Sequence, residues 1–330
     1  MSVKPITLAL SELRERELGA IMEVFDFAGN IPASIYLGST GVKVPEACYR
    51  SSSISQTRLV SEEYLLNSKR NSLDMGLPIG VFAYSSFGVR ASLGLRSLAE
   101  EGEGERWGGV VKLPAYKNLN ASLGTVLRSR RSVREMRGGT MPLQSLSTLL
   151  FFGDGVTGDF VLASMDTDVL PEATLGSSYI SKLRTAPSGG GLYPIYLYLV
   201  VQNVQGIPDG MYVYLPLNHA LMRVREMGEQ ERREFNAMAD WGFNIDATKV
   251  NVAVFYIYSL YENSRKYCDM GLTFGLIEAG EIAQNIHLAC TAMNIASCDI
   301  GSYEKSPSEQ FLGIDGLSKH LIHLTVIGMA

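Results

Sequence analysis

The chain has 330 residues, 46% hydrophobic and 19% charged, with 29 Lys and Arg against 34 Asp and Glu and a formal net charge of −5. That hydrophobic share is too high for a disordered chain, and no basic excess exists to neutralise a nucleic-acid backbone. No apolar run approaches the ~20 residues that span a bilayer, so the composition predicts a soluble, cytoplasmic protein of about two domains, with neither nucleic acid nor membrane as partner.

The N-terminus lacks a small-residue cleavage site and does not read as a signal peptide. Residues 10–28 carry apolar side chains at helical spacing, and residues 61–70 read as a second helix, with Glu62 and Glu63 in its first turn and Lys69 and Arg70 in its last. The polar, Gly-rich stretch 101–109 reads as a loop, and the main boundary is placed near residue 118, giving an accessory or docking segment over 1–117 and a denser domain over 118–330. In that domain the pattern predicts helices over 121–129 and 142–152, the second with Pro142 at its start. A strand over 195–202 turns through Gly206–Gly210 into the aromatic-rich MYVYLPL strand, a hairpin. A surface helix follows over 229–241, a buried strand over 251–260, and the longest helix over 271–294, apolar or small on nearly every side. Strands near 296–301 and 321–329 finish the pattern. Helices and hairpins in mixed order point to an α+β fold rather than a doubly wound parallel sheet.

Cys48, Cys268, Cys290 and Cys298 form no CxxC pair, so they read as free thiols in a reducing compartment. His320 and His323 stand three apart in a strand and should point to opposite faces, which disfavours joint metal ligation; no metal is expected. Four groups could carry chemistry. Arg130, Arg131, Ser132 and Arg134 offer many donors to a compact dianion, or form a solvated basic helix end. Pro187-Ser188-Gly189-Gly190-Gly191, just after Arg184, lets backbone approach a flat or anionic ligand, or is simply a flexible turn. Lys266-Tyr267 could move a proton, though the dipeptide alone has almost no specificity. Glu278, Glu281 and Asn285 share one face of the longest helix, as a polar seam or a subunit contact.

In order, RSRRSVREMRGGTMPLQSLSTLLFFGDG, RTAPSGGGLYPIYLYLVVQNVQGIPDGMYVYLP and KYCDMGLTFGLIEAGEIAQNIHLACTAMNIASCDIG resemble the SagB-type azoline dehydrogenases of the nitroreductase superfamily, over about residues 118–330. The resemblance implies a central mixed or antiparallel sheet flanked by helices, an FMN cofactor, and a homodimer with its site at the subunit interface. It implies that Arg130, Arg131, Ser132 and Arg134 hold the FMN phosphate and ribityl chain. Pro187, Ser188, Gly189 and Gly190 would border the isoalloxazine ring, with Gly301 and Ser302 as a second ring loop. Arg184, adjacent in sequence, is assigned as further phosphate charge. Lys266 and Tyr267 fall where these enzymes carry a catalytic pair. The implied reaction oxidises peptide thiazolines or oxazolines to azoles, on an azoline-containing precursor peptide and beside a YcaO-type cyclodehydratase. Departures are PSGGGLYP in place of the PSxxNxQPW-like loop of ordinary nitroreductases, and no basic residues in the terminal TVIGMA to share the phosphate. An NAD(P)H-dependent flavin reductase acting on a quinone or nitro compound is the alternative, and a flavin-free docking subunit a more distant one.

Overall fold

The computed structural model describes residues 109–161, 180–239 and 245–330, with the isolated positions 64, 65, 68 and 81. The helix expected over 10–28, most of that over 61–70, and Cys48 lie outside the described residues. The chain divides into two compact units, Met1–Gly88 with Arg265–Met270, and Val89–Ser264 with Gly271–Ala330. In the first unit the Tyr64 hydroxyl donates to the Asp269 carbonyl at 3.2 Å.

The second unit is built on a seven-stranded sheet in the order β1-β6-β5-β4-β7-β9-β8. Its strands are β1 (Val110–Lys112), β4 (Ile195–Val201), β5 (Gly210–Leu215), β6 (Ala220–Glu226), β7 (Val252–Ser259), β8 (Ile295–Ile300) and β9 (Lys319–Met329). Every neighbouring pair runs antiparallel. A separate antiparallel hairpin joins β2 (Val156–Val161) to β3 (Ile180–Arg184). Among residues 109–330 that are described, the helices are α1 (Leu123–Ser129), α2 (Leu143–Asp154), α3 (Glu229–Met238), α4 (Leu260–Tyr267), α5 (Met270–Ala292) and α6 (Lys305–Leu312).

The central strand β7 reads VAVFYIYS because both its faces are covered, so no polar alternation is needed. On one face Val252, Val254, Tyr256 and Tyr258 pack with Leu146, Leu149 and Leu150 of α2 and Ile282 and Ile286 of α5. On the other, Ala253, Phe255 and Ile257 pack with Phe235 of α3 and Phe311 and Leu312 of α6. The small residues of α5 are a consequence of close approach. A Cβ on Gly275 would stand 2.6 Å from the Tyr258 ring, which is held by hydrogen bonds to Asn263 (2.8 Å) and Ser264 (3.2 Å). Gly275→Ala is therefore expected to destabilise the fold by about 1–3 kcal/mol, read as a lower denaturant midpoint at unchanged slope.

Val110–Lys112, N-terminal to the boundary expected near residue 118, pairs with β6 in the main sheet. The residues between β7 and α5 form a helix, α4. One expectation changes. The two strand histidines are not on opposite faces. The β7–β9 register shifts between Tyr256 and Ile257, so His323 lies opposite Tyr256 and His320 opposite Tyr258, and those two tyrosines share a face. One extra residue in β9, a bulge, has undone the period-two argument. The two imidazoles still have separate partners: His320 Nε2 lies 3.0 Å from the Leu317 carbonyl, and His323 Nε2 lies 3.1 Å from Asp299 Oδ1.

Candidate active site

Antiparallel pairing brings the start of β4, the end of β7, the start of β9 and the end of β8 to one edge of the sheet. Two of the sequence motifs attach there. The PSGGGLYP loop enters β4, and Gly301-Ser302 leaves β8.

The loop is shaped by its own backbone. Gly190 (φ 69°), Gly191 (φ 67°) and Tyr193 (φ 49°) take left-handed conformations, which glycine adopts without a Cβ penalty. The Ser188 carbonyl accepts from the Gly191 N–H at 3.0 Å, and the Ser188 hydroxyl accepts from the Tyr193 N–H at 2.9 Å. Behind the loop a Cβ on Gly189 would stand 3.2 Å from the Phe274 ring of α5. Pro187 and Gly190 are exposed, so bare main chain faces outward while α5 backs it. Gly301 is likewise exposed, and a Cβ there would meet nothing within 4 Å. Ser302 beside it is exposed.

The arginine stretch follows α1, which Arg130 caps through its N–H to the Val126 carbonyl at 2.9 Å. The Val133 N–H then donates to the Ser297 carbonyl at 2.9 Å, laying Arg130–Arg134 beside β8. Arg134 lies near enough to Cys298 to oppose the rise that burial gives that thiol. Arg130 is half-buried; Arg131, Ser132 and Arg134 are exposed. Arg131 folds back, its Nη1 donating to the carbonyls of Arg128 (2.9 Å) and Arg130 (2.7 Å), the familiar use of a cation at a helix C-terminus.

Arg184 does not join them. Its side chain is 1% exposed and its Nη1 bonds Asp154 Oδ2 at 2.7 Å, with the guanidinium carbon 4.3 Å from the centre of the Tyr193 ring. The Arg184 N–H also donates to the Tyr193 hydroxyl at 3.1 Å. The assignment of Arg184 as phosphate charge is therefore corrected: its charge is already met by Asp154, and it roots the glycine loop from below. Nothing in sequence spacing paired it with Asp154, thirty residues earlier.

Lys266 and Tyr267 end α4 and belong to the first unit. Lys266 is buried, which lowers its pKa, and its Nζ lies 5.2 Å from the centre of the Tyr267 ring. Burial pushes the Tyr267 hydroxyl up.

Sequence reasoning missed a second polar group. Asp299 Oδ1 is met by His287 Nε2 (2.8 Å), His323 Nε2 (3.1 Å) and Thr325 Oγ1 (2.7 Å), and His287 Nδ1 lies 2.8 Å from Ser297 Oγ. Burial alone would raise the Asp299 carboxyl, but these hydrogen bonds hold it well below the usual carboxylate range. Asp299, His287 and His323 line a cavity of about 260 Å³ together with Leu276, Gly280 and Ile322. The β9 bulge that brings His323 here left no signal in composition or spacing. Among the described residues no helix is long and apolar enough to cross a membrane.

Residues 127–329 match the nitroreductase family. The chain belongs to the nitroreductase family. A provisionally named nitroreductase of Methanocaldococcus jannaschii is 28% identical over 205 residues, which cover 62% of this chain and 89% of that protein. A solved structure of a provisionally named nitroreductase from Ralstonia eutropha aligns with a TM-score of 0.50 at 21% identity, covering 67% of this chain and 89% of its own. The family's α+β fold is the one seen here, a sheet flanked by helices on both faces. A nitroreductase-family structure from Desulfovibrio desulfuricans, solved in complex with FMN, aligns with a TM-score of 0.39 at 13% identity, over 63% of this chain and 86% of its own.

Proposed function

We propose that this chain is an FMN-dependent oxidoreductase of the nitroreductase type. The observation that carries the reading is the pair of open backbones at one end of the sheet, the exposed Gly190 of the PSGGG loop before β4 and Gly301 after β8, with the arginine stretch tied to β8 at Ser297. FMN suits this donor set. Arg130, Ser132 and Arg134, with Arg131 at their side, suit a phosphate dianion, and Pro187, Ser188, Gly189, Gly190, Gly301 and Ser302 suit the two borders of a flat ring. FMN when bound supplies the two-electron chemistry; the chain positions the ring and chooses the substrate.

Within that class, the family and its named relatives favour an NAD(P)H-dependent reductase acting on a small quinone or nitro compound. One observation favours azoline oxidation instead: a lysine with a lowered pKa next to a tyrosine, at the position the sequence resemblance singles out. In that reading Lys266 or Tyr267 takes a ring proton from a thiazoline or oxazoline of a precursor peptide, and a YcaO-type cyclodehydratase supplies the azoline. A homodimer accords with either reading, since Leu276 and Ile277 of α5 are large apolar side chains 48% and 53% exposed. A monomeric mass by light scattering at micromolar concentration would remove the dimer from this scheme.

The test begins with colour. The purified chain supplied with FMN should show flavin absorption after desalting; a colourless protein that takes up no FMN overturns both readings. The yellow protein is then mixed anaerobically with NADPH and, separately, with an azoline peptide under air. Rapid bleaching without change in peptide mass identifies the reductase. A loss of about 2 Da per ring with slow bleaching identifies the dehydrogenase, because aromatisation removes one proton and one hydride.

A further inference from the structure

Glu278 sits on α5, 2% exposed. Its Oε1 accepts from the Ile195 N–H at 3.3 Å, the residue where the glycine loop becomes β4. Its Oε2 is buried and makes no hydrogen bond of normal geometry, although the Ser188 hydroxyl is close enough to favour the carboxylate. One helical turn earlier, Phe274 backs Gly189. A single stripe of α5 thus underlies both ends of the loop, and its buried Glu278 has an oxygen to spare. Buried polar atoms are nearly always paired, and leaving one unmet costs about 1–3 kcal/mol. Such an atom is retained where the group does something a hydrocarbon could not.

We propose that Glu278 is a positioning residue that acts as a neutral acid: held by the Ile195 N–H on Oε1 and lying close to Ser188, it sets the height of the Ser188–Tyr193 backbone against the flavin ring. This rests on the flavin reading above. The neutral form is the one the site favours. Burial pushes the Glu278 carboxyl up to about 8 and Asp154 adds to the rise, against the Ser188 hydroxyl, the Arg184 charge and the Ile195 N–H. The ionisable groups facing it are Asp154 of α2, Arg184 of β3 and Tyr193 of the loop. Asp154 and Arg184 offset one another at 2.7 Å, which leaves Glu278 without a cation of its own. Loss of its proton places an uncompensated charge under the loop.

The folded state binds this proton more tightly than the unfolded state, so the neutral arrangement is lost as pH rises through about 8. If only the neutral form seats the ring, the FMN Kd rises about tenfold between pH 7 and pH 9. The FMN phosphate is already dianionic across that window, because its second ionisation lies near ~6.

The experiment titrates FMN by flavin-fluorescence quenching into wild type and Glu278→Gln at pH 7 and pH 9. The expected result is a pH-dependent Kd in wild type and a flat one in Glu278→Gln, whose amide keeps a donor but cannot ionise. Wild type and variant sharing one profile, or a wild-type Kd flat across the window, overturns the Glu278 role while the flavin reading stands. Wild type binding no FMN at either pH overturns the flavin reading and this role with it. Should Glu278→Gln fail to fold by circular dichroism, the infrared carboxylic-acid band of wild type decides. It must fade between pH 7 and pH 9 in step with FMN release, and a band that is absent at pH 7 or unchanged at pH 9 overturns the proposal.

Discussion

Asp154→Ala is expected to lower stability by about 3–5 kcal/mol, because it strands the Arg184 guanidinium, 1% exposed, without its counter-charge. Arg184→Ala should cost a similar amount for the converse reason. A denaturant series reads both as midpoint shifts. The double variant Asp154→Leu/Arg184→Met should recover most of the loss, since a well-packed apolar pair replaces a desolvated ionic one. The readout beyond stability is FMN affinity. The Arg184 guanidinium lies over the Tyr193 ring and supports the loop from its side chain, so a double variant that regains stability should still bind FMN more weakly than wild type. Single variants as stable as wild type would show that the pair is not the anchor its geometry indicates.

Under the azoline reading, Lys266→Ala is expected to reduce azoline turnover by about 10²–10⁴, the range that a positioned acid or base supplies. Burial lowers the Lys266 pKa, so the free amine that would serve as base in that reading appears at a lower pH than for an ordinary lysine. The kcat/KM of wild type should therefore rise with pH and level off below the normal lysine range. Lys266→Arg, which stays charged, should show no such plateau. Under the reductase reading the same variants leave NADPH-driven bleaching within a few-fold of wild type, so one pair of proteins separates the two activities. Tyr267→Phe distinguishes the two residues: a loss equal to that of Lys266→Ala would place the hydroxyl in the same proton transfer.

The elements with strong local pattern were legible in the sequence. β4, β5, β7 and α5 announce themselves by continuous apolar runs or by small residues on every side, and their ends fall within a few residues of expectation. The missed elements lack such a signal. β1 is three residues long; β6 (ALMRVRE) follows a turn without glycine, carried by His219 at φ 45°; α6 (KSPSEQFL) is polar and holds a proline, and only the left-handed Gly313 marks its end. For the site, the arginine stretch and the glycine loop could be read because their chemistry is local. What could not be read was pairing across the fold. Arg184 resembles its arginine neighbours in type, yet its partner is thirty residues away in Asp154. Glu278 resembles Glu281 in type, yet one is buried and the other half-buried. Charge and spacing predict which groups are available; depth decides what each of them does.

The strand order also has a consequence in time. Among the described residues β9 follows every other strand in sequence, yet it lies inside the sheet, and it is the strand that pairs with β8. During synthesis β8 emerges before the strand that must receive it, so it waits unpaired while β4, β5, β6 and β7 already have partners available. The Ser297 carbonyl that tethers Val133, and the Gly301 backbone beyond it, are therefore fixed only once β9 has been made and inserted. One border of the ring site can form early with β4, while the other arrives with β9. A nascent chain stalled before residue 319 should hold the glycine loop but capture no flavin, and its exposed β7 edge is where a chaperone or a misplaced strand would first compete.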